Sequence, residues 1–476
     1  MPYAAHQTRH AETFRALHAR AGAFVIPNPW DAGTARLLAM AGFPALATTS
    51  AGYAYSRGLP DNAIGRDAML EHIAVIAAAG ELPVSADLEN GFGDAPEIVA
   101  ETIRLAAEAG AVGGSIEDAT WVATRAASVA AVLGHPACRV RPLDLPVPPA
   151  LRGTSAGALF GELVRMNDGA LRHQVPKQAL HAALAQIDVQ ALRGRAATLA
   201  AAQLPALDDP DALNAWCIAT PVRAVADLLG FDEPQLDDIA ASVVDFIAAL
   251  SPLSDAASLA RASDAARQLL DRMTVRVAQS HARDGTLVAA VKDAAAQAGW
   301  HASGALVANL VGLLSQTCEA TAAWLANTIV AWHRQSAESA SSAEVPDDAT
   351  LDAFVAEVAR FDTPVQNTRR FVAARTTLEG VTLDAGAAIL VVLAAANRDP
   401  AVHRDPHRFV PTRTPGPDFG FGTGPHQCPG ARIAQAVTVG AFGALLRAGG
   451  WPPREALKWD YRASANIRMP KFDAAR

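Results

Sequence analysis

Cysteine is scarce in this 476-residue chain: Cys138, Cys217, Cys318 and Cys428 stand far apart, with no C-x-x-C pair. That spacing excludes a disulfide framework and a structural zinc site, and it suits a reducing compartment. Charge is sparse too, at 18% of residues, and acidic on balance: 40 Lys plus Arg against 48 Asp plus Glu give a net charge of −8. Affinity for nucleic acid comes from neutralising phosphates, so this sign argues against such a partner. Long hydrophobic runs are missing. The longest, residues 387–396, is about half of the roughly 20 residues a membrane helix requires. The N-terminal stretch MPYAAHQTRHAETF lacks the apolar core of an export signal. A cytoplasmic protein without a membrane partner is expected. What the chain has in quantity is apolar surface, 51% of its residues, which supports a large core and excludes wholesale disorder. Its length predicts two or three domains.

The first quarter reads as β/α units. Between residues 24 and 117, the apolar runs FVIP, ALATTS, LPVSADLE and GGSIED alternate with helical stretches, the pattern of a parallel sheet. Each run ends in polar residues: Asn28 and Asp31, Thr49 and Ser50, Asp87 and Glu89, Glu117 and Asp118. Any one such group is explained by helix capping, whereas four in succession mark the edge where β/α barrels place their chemistry. In Asp87-Leu88-Glu89-Asn90-Gly91-Phe92-Gly93, two carboxylates at i and i+2 share one side of a strand end. With Glu117 they predict a Mg²⁺ site of few protein oxygens and several waters.

Together with PNPWDAGTARLLA, TTSAGYA and SIEDAT, this segment closely resembles the isocitrate lyase and phosphoenolpyruvate mutase superfamily. The resemblance implies that Asp87, Glu89 and Glu117 are metal-site acids, that Ser50, Ala51 and Gly52 form a substrate-anchoring loop, and that Asp61 is the acid following it. It covers residues 1–120 and stops after four strands, whereas a complete (β/α)₈ barrel takes about 250 residues. The expectation is a partial half-barrel that keeps its acids without its reaction. An active Mg²⁺-dependent C–C or P–C lyase or mutase is the alternative.

From Trp121 onward the pattern is mainly helical. WVATR reads as a short strand and ASVAAVL as a helix, and Ala/Leu-rich helical runs span residues 235–250, 254–280 and 302–333. The polar segment 335–348 reads as a surface connection. Near the C-terminus stands Phe419-Gly420-Phe421-Gly422-Thr423-Gly424-Pro425-His426-Gln427-Cys428-Pro429-Gly430. Its glycines permit a tight turn close to a flat ligand. Pro429 suits a first helical turn, which places Cys428 where the helix dipole favours thiolate, the form that binds iron.

Phe421-x-x-Gly424-x-x-x-Cys428-x-Gly430 matches the heme-binding signature of the cytochrome P-450 family, which residues 121–476 resemble. The resemblance implies a mainly α fold with small β-sheets, heme b ligated by Cys428, and a monooxygenase acting on a small apolar substrate. It makes Glu357 and Arg360 the family's E-x-x-R pair with Arg413 as third partner, and it gives Arg370, His426, His173 and Lys177 to the heme propionates. Glu319 takes the acid position of the helix that crosses the heme. Ala320 replaces the usual threonine, and Thr321, which follows it turned by about 100° around the helix, is the catalytic candidate beside Glu319. The strand that WVATR matches normally follows a helix and a strand that are missing here, so the heme domain lacks its N-terminal cap and the half-barrel fragment takes that place. No G-x-G-x-x-G follows a predicted strand, so electrons are expected from a separate ferredoxin- or flavodoxin-type donor and its reductase. A heme-binding but silent fusion is a further alternative.

Overall fold

The computed structural model describes residues 5–20, 23–61, 63–92, 96–116, 120–142, 147–248, 254–281, 283–336, 345–414, 416–449 and 457–473. The chain divides into two compact units, Met1–Thr120 and Trp121–Arg476.

In the first unit, three parallel strands, Leu46–Ala47, Val84–Asp87 and Gly113–Ser115, lie side by side in chain order. Leu46 pairs with Val84 and Ser85 with Gly113. Parallel neighbours need a crossover, supplied by the helices Arg66–Ala79 and Pro96–Glu108. Met69, Ile73 and Ile76 of the first crossover helix are fully buried. FVIP, expected as the leading strand, joins no ladder among the described residues. Pro27 has no N–H to donate, its carbonyl accepts one bond from Ala47 N–H at 3.1 Å, and Val25 is 66% exposed. A helix the sequence reading did not anticipate, Ala5–Ala19, sets Phe14 so close to Gly113 that a Cβ there would stand 2.5 Å from the ring.

The second unit is built on helices around the 34-residue helix Ser303–Ser336. The expected runs appear as Leu236–Ala248, Ala256–Gln279 and Ser303–Ser336. Asp255 starts the second by accepting from Ser258 N–H at 2.7 Å, a cap that satisfies one of the helix's orphan donors. The helices Val189–Ala201 and Ala431–Ala448 cross tightly at Gly440, where a Cβ would lie 2.4 Å from the Arg193 carbonyl oxygen. WVATR supplies an edge strand, Thr120–Ala123, of a four-stranded sheet whose order continues through Ala388–Val391 and Thr368–Val372 to Cys138–Arg139. A C-terminal hairpin pairs Lys458–Tyr461 with Pro470–Asp473. Residues 337–344 of the polar connection lie outside the described residues. No described helix is long and apolar enough to cross a membrane.

Candidate functional site

The cysteine loop is two short turns, Phe419–Phe421 and Gly424–His426, joined through glycines at φ +66° (Gly422) and +70° (Gly424). Both are left-handed conformations that a side chain would strain. Gly424 also presses against Gly134 and the Leu133 carbonyl, with 3.2 Å left for a Cβ. Phe421 packs edge-on against Trp324 of the long helix, centroids 5.4 Å apart. Cys428 N–H donates to the Phe421 carbonyl at 2.8 Å, closing the loop.

Two sequence expectations are corrected here. The helix begins at Ala431 with Gly430 as its cap, so Pro429 precedes it instead of occupying its first turn, and Cys428 stands three residues ahead of it. The thiol is also not tuned toward thiolate by its surroundings alone. Burial pushes the Cys428 pKa up and outweighs the Gly430 N–H and the Lys177 ammonium, which pull it down. Desolvation wins because the partial charge at a helix end is small beside the cost of an ion removed from water. Cys428 is exposed, whereas the other three cysteines are buried.

Around this loop the structure gathers the predicted basic residues. Lys177 donates to the carbonyls of Pro425, at 2.9 Å, and of Gln427. The His173 and His426 rings stack, centroids 3.9 Å apart and 26° from parallel, and His426 Nε2 lies 3.1 Å from Asp168 Oδ1. Burial, with His426, Lys177 and Arg370 adding repulsion, lowers the His173 pKa to about 4. Arg370 is buried and donates to the Arg369 carbonyl at 2.8 Å. Three buried nitrogens, His173 Nε2, His426 Nδ1 and Arg370 Nε, have no hydrogen-bond partner among the described residues. Buried donors are seldom left unpaired, and a group bearing carboxylates, as heme does, matches this donor set. Asp168 was missed by sequence reasoning, since an Asp in an N-D-G run reads first as a turn residue.

On the long helix, Leu313, Gln316, Thr317, Glu319 and Ala320 keep accessible surface in a stretch otherwise buried. Burial raises the Glu319 pKa, opposed by Arg462 and Arg165. Thr321 is not on this face: it is 2% exposed, two residues and so about 200° from Glu319 around the helix. The hydroxyl the accessible face does carry is Thr317, which donates to the Leu313 carbonyl at 2.7 Å. Neither Arg165 nor Arg462 was legible in the sequence, because each sits in an irregular segment with no periodicity to orient it.

Glu357 and Arg360 form a buried bidentate pair at 2.7 and 2.8 Å. Arg360 also donates to the carbonyls of Asn397, Pro406 and Arg408. Arg413 Nε reaches Glu357 Oε1 at 3.4 Å, and Val410 N–H donates to the same oxygen at 2.8 Å.

In the first unit, Asp87 Oδ2 accepts from Ser50 N–H at 2.8 Å and from Ser50 Oγ at 3.0 Å, so the expected anchoring loop and the first acid do meet. Ala51 and Gly52 follow in the helix Ser50–Ser56, and Asp61 is exposed. Glu89 does not share a strand face with Asp87. The strand ends at Asp87, and Glu89 has a left-handed φ of +47°, which breaks the alternation on which the i, i+2 expectation depended. Glu117 lies outside the described residues. Among the described residues, no three His, Cys, Asp or Glu side chains are gathered to hold a metal ion.

Residues 330–448 match the family model for cytochrome P450, and residues 14–136 that for phosphoenolpyruvate phosphomutase. Cytochrome P450 CYP109Q5 from Chondromyces apiculatus is 20% identical, with 81% of this chain and 97% of that one aligned at a TM-score of 0.59. The larger unit has the cytochrome P450 fold. Among curated P450 relatives, cytochrome P450 140 of Mycobacterium tuberculosis is 45% identical over 83 residues, 17% of this chain and 19% of the relative. Cytochrome P450 133B2 of Xylella fastidiosa is 27% identical over 238 residues, 50% and 59% of the two chains. The chain thus spans about a fifth and three fifths of these two P450 relatives' own length. A lyase/mutase from Burkholderia cenocepacia J2315 is 84% identical where aligned, over 24% of this chain and 41% of that one, with a TM-score of 0.24.

Proposed function

We propose that the chain is a heme-thiolate monooxygenase that inserts one oxygen atom from O₂ into an organic substrate. The observation that carries this reading is the meeting of the Cys428 loop with Lys177, which donates to its carbonyls, and with His173, His426 and Arg370, whose orphaned nitrogens call for an acidic cofactor. Heme held there would supply oxygen activation, its sulfur ligand lending electron density that favours O–O cleavage. Cys428 is the ligand. The cradle of Phe421, Gly424 and Gly430 lets the backbone pass close to a flat ring, and the four basic residues pair with the propionates. Glu319 holds a proton on the accessible face, because burial keeps its carboxyl above the usual range. Thr317 offers hydroxyl lone pairs to the same face in place of the threonine that Ala320 replaces. Electrons come from a separate ferredoxin- or flavodoxin-type donor with its reductase.

The first unit is a partial β/α barrel retained without turnover. A Mg²⁺-dependent lyase or mutase is not favoured, since Asp87 is engaged by Ser50 and Glu89 is turned out of the strand.

Reduced full-length protein treated with carbon monoxide is expected to show the thiolate-type Soret shift, and Cys428→Ser to abolish it. Protein that stays colourless with ample heme, or that keeps the shift without Cys428, overturns the assignment.

A further inference from the structure

The accessible part of the long helix is a short window, since residues 306–312 before it and 321–331 after it are buried. At about 100° per residue, Leu313, Thr317 and Ala320 share an arc of about 60°, with Gln316 about 40° beyond Ala320 and Glu319 about 60° further on. Trp324 falls in the middle of that arc one turn later, and its ring meets Phe421 of the cysteine loop, centroids 5.4 Å apart. The arc is therefore turned to the side of the helix on which the Cys428 loop packs.

Two side chains of this window are uncharged and polar, and both are bonded back to their own helix. Gln316 Nε2 donates to the Gly312 carbonyl at 2.8 Å, and Thr317 Oγ1 donates to the Leu313 carbonyl at 2.7 Å. A carbonyl only accepts, so the amide nitrogen is the end that faces Gly312 and the amide oxygen is the end left over. The missing side chain at Gly312 makes room for this: a Cβ there would stand 3.0 Å from Gln316 Nε2 and 2.6 Å from Leu163 Cδ2. Gln316 Oε1 accepts no hydrogen bond among the described residues, and the Thr317 hydroxyl, its proton already given, can only accept. The window thus offers the lone pairs of both oxygens against the one remaining N–H of Gln316, beside the apolar Leu313 and Ala320. Glu319 stands outside the arc, with a proton that the monooxygenase reading assigns to the oxygen chemistry. An apolar molecule covering the window takes water from both oxygens, and an acceptor covered without a donor weakens binding. A site that hydrogen-bonds a substrate O–H rejects the analogue lacking it.

We infer that Gln316, together with Thr317, determines specificity by accepting a hydrogen bond from a hydroxyl group on an otherwise apolar substrate. This rests on the monooxygenase reading and narrows its organic substrate to an alcohol.

The test uses heme-loaded full-length protein titrated with decan-1-ol, 1-methoxynonane and undecane, which share one chain length, followed by calorimetry and by the heme absorption shift. The alcohol is expected to bind about tenfold more tightly than the ether or the alkane. Gln316→Met keeps the length of the side chain without its amide and should bring the alcohol down to the ether. Thr317→Val should reduce the preference, whereas Thr317→Ser, whose hydroxyl can still donate to the Leu313 carbonyl, should retain it. The alcohol-to-ether ratio within each variant is the quantity read, because general damage to the fold weakens both ligands alike. Equal affinity for alcohol and ether, an ether bound better than the alcohol, or binding of none of the three ligands overturns the inference. So does a preference that survives Gln316→Met or Thr317→Val, or one that is lost in Thr317→Ser. Loss of the thiolate-type carbon monoxide spectrum in the parent protein would instead overturn the monooxygenase reading itself.

Discussion

At Glu357 a single carboxylate, 4% exposed, accepts from Arg360, Arg413 and the Val410 amide. Buried ion pairs contribute little when compared with an apolar replacement, but removing one partner strands the other charge inside the protein. Glu357→Ala leaves Arg360 with carbonyl partners alone and is expected to cost about 3 to 5 kcal/mol. Chemical denaturation of the heme-loaded protein should register this as a lower midpoint together with earlier heme release, and an unchanged midpoint would refute it. Spacing made this pair legible, because i and i+3 fall on one helix face. Sequence reasoning kept Thr321 with Glu319 as a catalytic candidate, and the buried Thr321 lies about 200° away around the helix instead. Spacing could not reveal Arg165, Arg462 or Asp168, whose positions depend on where irregular segments land after the helices have packed.

Among elements, the helix Ala126–Gly134 shows how the heme-side sheet is tied to its surroundings. Its cap residue, Arg125, makes no side-chain bond to the helix, and Asp399 from a distant turn accepts the Ala126 N–H at 2.8 Å. That bond and one from Ala401 N–H hold the Asp399 carboxyl below the usual aspartate range. A carboxyl whose pKa is depressed by folding contributes stability above its unfolded pKa of about 3.9 and loses it as pH falls through the lower folded value. Asp399→Ala is therefore expected to lower the melting temperature at neutral pH. The gap from the parent should close once the solution is acid enough to protonate Asp399, and a gap that persists there would exclude the linkage. Helices of this unit were readable from long Ala/Leu-rich runs. The absence of a leading strand at FVIP was not, because the segment has β-like composition while Pro27 denies it half of a ladder.

For the whole molecule, the two units differ in how completely they cover their apolar residues. The first leaves Met40 84%, Leu37 66%, Val75 49% and Ile103 48% exposed on its helices. Its sheet of three short strands ends on both sides without a further partner among the described residues, and open strand edges invite association. Limited proteolysis is expected to remove residues 1–120 first while the heme absorbance of the remainder persists. Equal resistance of both units would refute this. At this scale the patterning changes at Thr120, where the compact units divide, while the match to the phosphoenolpyruvate phosphomutase family model runs on to residue 136.

The crossing at Gly440 gives the larger unit a remote means of adjusting its sulfur. Nine residues, two and a half turns, separate that glycine from Ala431, where the helix begins three residues after Cys428. With the Arg193 carbonyl already where a methyl group would go, any bulkier residue there acts as a wedge. The helix must tilt, and the loop that carries the thiol into its first turn is pulled with it.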